Sequence, residues 1–188
     1  PSRNVRGIDF ANHATAHSVI VAASGKGKTT AGRSLLYGLA RQNDAADVRF
    51  AVATFKPKDW QAFGELPHML DLALEAKEIK RILRWANNEV YKRSRAGIDS
   101  PRYVILLDDM FNWGKLVDVG EDIAQISSLG RAAGFNLLVL TQRMTAEGLG
   151  KASAAVGNIT TRVVLGANSA SEAAQLTGLS GTGAETLG

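Results

Sequence analysis

The sequence contains no cysteine, which removes disulfides, thiolate metal centres and cysteine nucleophiles from consideration. Proline is scarce, with 4 against 19 glycines, so chain reversals fall on glycine and not on a proline-rich linker. No apolar run reaches membrane-spanning length and no signal peptide opens the chain; a cytoplasmic location is the expectation. Basic residues are nearly missing from the carboxyl-terminal part. After Lys151 the only Lys or Arg is Arg162, whereas seven lie from Lys77 to Arg95. There is no internal repeat and no low-complexity tract.

What is present is a globular composition, 45% hydrophobic and 21% charged, over 188 residues. That length is read as one domain, residues 1–188, with a core that needs no covalent staple. The 22 basic and 18 acidic residues leave a net charge of +4, which permits a nucleic-acid partner but does not demand one. The chain opens at Pro1 without a methionine and is read as a compact or trimmed core of something longer.

Five apolar, β-rich runs stand out: Ser18 to Ala22, Val48 to Phe55, Tyr103 to Leu107, Phe135 to Leu140 and Thr161 to Leu165. Their near-continuous apolar character suits strands covered on both faces. Helical patterns fall between them, over Thr29 to Ala40, Glu75 to Arg95 and Glu121 to Ala133, with a further helix expected after Ser169. The expected fold is therefore α/β, a mostly parallel central sheet with helices on both faces. In such sheets ligands bind beyond the carboxyl ends of the strands.

The first strand runs into Ala22-Ala23-Ser24-Gly25-Lys26-Gly27-Lys28-Thr29, which opens the first helix. This is a phosphate-binding loop with Ala22 where the motif usually begins with glycine. Gly25 and Gly27 let backbone amides turn inward around phosphate oxygens. The helix start adds N–H donors and the positive end of its dipole. The candidate nucleotide-binding segment is Ser24, Gly25, Lys26, Gly27, Lys28, Thr29 and Thr30. Lys28 reaches the β and γ phosphates, and the Thr29 hydroxyl is a Mg²⁺ ligand.

A second element is Val104-Ile105-Leu106-Leu107-Asp108-Asp109, an apolar strand ending in two acids. This is the shape of a Walker B segment. Asp108 is assigned to the metal side, and Asp109 to orienting or deprotonating the attacking water. Gln142, after Leu138-Val139-Leu140-Thr141, is a candidate for hydrogen bonding to that water or to the γ phosphate.

Several blocks together resemble the motor domain of FtsK/SpoIIIE-type DNA translocases, within the wider HerA/FtsK class. Besides the loop and the acid pair they are Lys56-Pro57-Lys58, Leu66-Pro67-His68-Met69-Leu70, Arg84-Trp85, Asn88-Glu89, Gly130-Arg131-Ala132-Ala133-Gly134, Thr141-Gln142-Arg143, Thr161-Arg162-Val163 and Gly183-Ala184-Glu185. The Arg131 block followed by a strand ending in Thr141-Gln142-Arg143 is the most specific part. The resemblance implies a RecA-like P-loop ATPase that uses ATP and Mg²⁺ and assembles as a homo-hexameric ring around double-stranded DNA. It implies an arginine finger at Arg131, a pore-loop contact to the DNA backbone at Arg143, and a polar sensor at Gln142. The chain departs from the family pattern at Lys56, where an acid is usual, in its short connection from Arg95 to Arg102, and in the lack of basic residues from Ala167 to Ala174. A conjugation or secretion coupling ATPase of the same class is an alternative. A RecA-like DNA-binding module whose nucleotide controls only assembly is another.

Other features are set aside. His13 and His17 have helical metal-ligand spacing but no third ligand nearby, and packing explains His17. Lys77, Arg81, Arg84, Asn88, Lys92 and Arg95 share one helical face, read as solvated and helped by a Glu89–Arg93 pair, with a phosphate-contacting stripe as the alternative. Trp60, Trp85 and Trp113 form no stacking ladder; Trp113, just after Asp109, is expected to pack under the loop there, with a subunit contact as the alternative if it is exposed.

Overall fold

The computed structural model describes residues 16–110, 113, 117–142, 155, 157–166 and 169. Six strands form one sheet: β1 (Ser18–Ala22), β2 (Val48–Ala53), β3 (Met69–Ala73), β4 (Arg102–Asp108), β5 (Phe135–Thr141) and β6 (Thr161–Gly166). Their order is β3-β2-β4-β5-β1-β6, and every pairing is parallel. The α-helices are α1 (Lys28–Gln42), α2 (Pro57–Trp60), α3 (Ala76–Ala96) and α4 (Gly120–Leu129).

Strand alternation decides which side chains meet which helices. Val19, Ala51, Ile105, Leu107, Leu137 and Val139 pack with α3 and α4 through Ile79, Leu83, Val90, Ile123 and Ile126. Their neighbours Ile20, Phe50, Val52, Leu106, Leu138 and Leu140 face the other way, onto Leu36 of α1 and Trp60 and Phe63 around α2. Both faces are covered, which is why the central strands carry apolar residues without a polar alternation. Gly32 of α1 is required by this packing, because a methyl there would lie 2.8 Å from Leu140 Cδ1.

The expected parallel α/β sheet is what the chain forms, with four differences in detail. An unexpected strand, β3, lies at the sheet edge with partly exposed residues, and Asp71 interrupts its apolar run. The strand expected to reach Phe55 ends at Ala53, where Thr54 turns its hydroxyl to Asp108. The helix expected to run to Ala133 stops at Leu129 and tightens into a 3₁₀ turn, Gly130–Ala133, closed by Gly134 at φ 74°. Finally, Arg93 does not pair with Glu89. It is buried over the rings of Tyr103 and Phe135, at 5.0 and 5.7 Å, while Glu89 lies 3.9 Å from Lys92. The remaining basic residues of that α3 face are exposed, as expected. The helix expected after Ser169 lies outside the described residues. Among the described residues, no helix is long and apolar enough to cross a membrane.

Candidate functional site

At the carboxyl end of β1 the chain turns through Gly25 and Gly27, at φ 77° and 82°, before entering α1. These angles are open to glycine and strained for other residues, so the loop depends on both positions. Ala22 is still inside β1 and fully buried, which is why alanine is accepted at that point. No side chain caps α1 at Gly27 and no acid occupies its first turn. The helix start therefore presents N–H donors and a positive dipole end to the space beside it. That space is a cavity of about 250 Å³ lined by Ser24, Gly25, Gly27, Lys28, Thr29, Thr30, Lys56 and Gln142. Lys28 is only 7% exposed, unusual for a lysine and apt for one whose charge faces a bound anion. Lys26, alone among residues 24–30, is absent from the lining; its stem runs beside Gly166 at the end of β6.

Asp108 ends β4, two strands from β1, and is completely buried. Its Oδ2 accepts hydrogen bonds from the Trp60 indole at 2.8 Å and the Thr54 hydroxyl at 3.3 Å. Its Oδ1 has no partner among the described residues. Burial raises its pKa above the ordinary carboxylate value, against the opposing pull of Trp60, Lys56 and Lys28. A buried carboxylate with one oxygen held and the other unsatisfied fits a hydrated divalent cation; Thr29 lines the cavity, whereas Asp108 and Asp109 lie behind its lining, Asp109 being joined to it through Lys56 and Gln142. Trp113 packs beneath, its indole donating to the Asp108 carbonyl at 3.0 Å, as its position after the acid pair suggests.

Asp109 follows in the left-handed region at φ 56°, a conformation that aspartate tolerates better than most residues. Its Oδ1 accepts from Gln142 Nε2 at 3.2 Å and its Oδ2 pairs with Lys56 Nζ at 2.8 Å. The structure thus brings together the phosphate loop, Asp108, Asp109 and Gln142. Three further residues, Thr54, Lys56 and Trp60, join them from the segment after β2. Sequence reasoning registered Lys56 only as a departure from a pattern and set Trp60 aside. Nothing local ties Trp60 to an acid 48 residues away.

Arg131 lies elsewhere. It is exposed, in the 3₁₀ turn that precedes β5, and its guanidinium acts electrostatically on His17, which precedes β1. It is therefore at the amino ends of the strands, while the cavity is at their carboxyl ends. The seven residues of β5 separate the two by roughly 20 Å at about 3.3 Å per residue. Arg143, the expected DNA contact, lies outside the described residues. So does His13, and no group of three metal-ligating side chains occurs among those described.

Comparisons with known proteins agree with this geometry. A model described as the FtsK/SpoIIIE family matches residues 2–100. DNA translocase SftA of Bacillus subtilis (strain 168) is 26% identical over 180 residues, covering 81% of this chain and 18% of that protein. Among solved structures, EccC of Thermomonospora curvata (ATPases 2 and 3, with a signal sequence peptide) superposes with a TM-score of 0.75 at 18% identity, over 87% of this chain and 33% of that one. The pCW3 conjugation coupling protein TcpA, in its monomer form with ATPγS, gives 0.74 at 17% identity, over 95% and 55%. The chain thus spans about a fifth of the length of the curated relative, and the fold is that of the RecA-like P-loop ATPases. With the loop, the acid pair and the sheet arranged as described, and more than half of its residues matched by the family model, the chain belongs to the FtsK/SpoIIIE family.

Proposed function

We propose that residues 1–188 form a single motor domain that hydrolyses ATP and couples hydrolysis to movement along double-stranded DNA. The observation that carries the reading is the convergence at one sheet edge of three parts. They are a glycine-bent loop with a buried lysine, a buried acid with one unsatisfied oxygen, and a second acid linked to Gln142. Phosphoryl transfer is achieved mainly by positioning and charge neutralisation, and these groups supply both.

In this reading the amides of Ser24 to Thr30 cradle the phosphates, and the Lys28 ammonium neutralises the β and γ oxygens. Thr29 and Asp108 would hold Mg²⁺. When bound, that ion neutralises charge on the phosphate oxygens. The Asp109 carboxylate accepts a hydrogen bond from the attacking water and takes its proton as the water oxygen bonds to the γ phosphorus and the bond to the β–γ bridging oxygen breaks, the electron pair leaving on ADP. Gln142 orients the same water. The separation of Arg131 from its own cavity supports a role in a neighbouring subunit of a homo-hexameric ring, where its planar fork offsets charge on a transferring phosphoryl group. Arg143, directly after Gln142, contacts the DNA backbone. A motor that tracks any sequence must bind phosphates and not base edges.

DNA as the track is supported by SftA, which is named a DNA translocase. The likeness to TcpA and EccC rests on fold and leaves a conjugation or secretion coupling role as the alternative. The test is ATP turnover with and without duplex DNA across a range of protein concentrations. A motor is stimulated by duplex DNA and gains activity per molecule as rings assemble. Turnover indifferent to DNA favours the coupling ATPase. Negligible turnover in the presence of both ATP and DNA favours a binding module.

A further inference from the structure

Both oxygens of Asp109 are engaged by residues that also line the phosphate cavity: Gln142 on Oδ1 and Lys56 on Oδ2. While Lys56 holds Oδ2, one of that oxygen's acceptor directions is taken and the adjacent cation makes the carboxylate a weaker base, so Asp109 is poorly prepared to take a proton from water. The two cavity lysines differ in freedom. Lys28 is buried in the loop, whereas the Lys56 side chain is 45% exposed. The backbone of Lys56 is nonetheless anchored, because its N–H donates to the Thr54 hydroxyl at 3.0 Å, and that hydroxyl donates in turn to Asp108. The side chain swings from a fixed point next to both acids. Its ammonium has three donors, of which the Asp109 pair takes one. A partly exposed ion pair is weak enough to be exchanged, and a phosphate carrying more than one charge is the stronger attractor.

We propose that Lys56 is a substrate-contacting residue that distinguishes nucleoside triphosphate from diphosphate: it closes on the terminal phosphate and in doing so releases Asp109 Oδ2 to the attacking water. Without a terminal phosphate the cation stays on Asp109 and the carboxylate stays occupied. Triphosphate binding and liberation of the water-handling acid are then one event, carried by a single side chain. This rests on the nucleotide reading of the cavity given above.

The experiment measures binding of ATPγS and of ADP, each with Mg²⁺, to wild type and to Lys56→Met, Lys56→Arg, Asp109→Asn and the Lys56→Met/Asp109→Asn pair. Loss of one charge-assisted contact predicts that Lys56→Met weakens ATPγS by about tenfold and ADP by less than about twofold. Lys56→Arg keeps most of the discrimination. Asp109→Asn removes the competitor for the ammonium and tightens ATPγS by several-fold, roughly, only when Lys56 is present. Equal weakening of both nucleotides by Lys56→Met, or none, overturns the proposal. So does a tightening by Asp109→Asn that persists in the Lys56→Met background, because that is plain repulsion between a carboxylate and phosphate. If wild type binds neither nucleotide, the reading of the cavity falls and this inference with it. Binding by wild type with an unchanged ATPγS to ADP ratio in Lys56→Met removes the inference alone.

Discussion

The Trp60 indole N–H donates to Asp108 Oδ2 at 2.8 Å, joining the start of the segment after β2 to the carboxyl end of β4. Trp60 is wholly buried, stacks edge-on with Phe63, and forms part of the core on the α1 face of the sheet. One side chain thus packs the core and fixes which oxygen of Asp108 stays available. Trp60→Phe keeps the ring and removes the donor. Hydrogen bonds to charged groups are worth about 1.5–3 kcal/mol, and a destabilisation of that size is expected in urea unfolding. Because Oδ2 then keeps only the longer Thr54 hydrogen bond at 3.3 Å, half-maximal turnover should also need more Mg²⁺. A stability loss with an unchanged Mg²⁺ requirement would show that Trp60 serves packing alone.

The two acids should separate in their effects. Asp108→Asn removes the charge on the metal side and should abolish Mg²⁺-dependent turnover. Asp109→Asn should bind ATP yet hydrolyse it slowly, since the group that takes the proton from water is gone. Nucleotide binding and phosphate release, measured on the same samples, check both. Normal hydrolysis by Asp109→Asn would place the catalytic acid elsewhere.

Arg131 offers a test of the ring. An arginine finger is worth roughly 10³–10⁵ in rate, or about 4–7 kcal/mol, whereas a helix-end arginine that only complements a dipole gives about 0.3–1 kcal/mol. Arg131→Ala should bind ATP and turn over at a small fraction of the wild-type rate. Lys28→Ala should lose nucleotide binding and keep its fold. Mixing the two should restore some hydrolysis, one subunit bringing the site and the other the finger. Activity per molecule that is constant on dilution, together with an inert mixture, contradicts action between subunits.

His17 predicts a pH dependence of stability. Burial, and secondarily the Arg131 guanidinium, push its pKa down from 6.5 to about 4. Its Nδ1 accepts the Leu137 N–H at 3.1 Å, so the folded state holds the neutral ring. Between those values the unfolded chain binds more protons than the folded one, and stability falls as pH is lowered from 6.5 towards 4. The shift corresponds to at most about 3 kcal/mol over that window. His17→Asn keeps a hydrogen-bond acceptor without a titrating ring. Urea midpoints across that pH range should fall less steeply for His17→Asn than for wild type, and parallel slopes would remove His17 as the cause.

Much of the site was legible because its parts are local. Gly25 and Gly27 followed by Lys28-Thr29 describe a loop and a helix start within a few residues, and Asp108-Asp109 terminate an apolar strand by adjacency alone. β3 was not legible, since an edge strand needs cover on fewer sides and Asp71 breaks its pattern. Arg93 read as a surface partner of Glu89 because helical spacing allows it. The aromatic pocket that claims its guanidinium is built from Tyr103 and Phe135 on two other elements.

The residues by themselves determined where five of the six strands and the three long helices lie, where the backbone must bend left-handed, and which side chains carry charge at the strand ends. Only the tertiary structure decided who meets whom. The parallel order β3-β2-β4-β5-β1-β6 sends every carboxyl end to one edge, so Asp108, Gln142 and the phosphate loop converge however far apart they are in the chain. It sends Arg131, at the start of β5, to the opposite edge. Trp60 and Lys56 reach the acids because β2 pairs with β4, bringing the segment after Ala53 beside Asp108. Strand pairing is non-local, made of backbone hydrogen bonds that any residue can supply and side-chain packing that only the assembled sheet provides. No spacing in the sequence encodes that a tryptophan and a lysine after β2 will hold the last acid of β4 and the one that follows it.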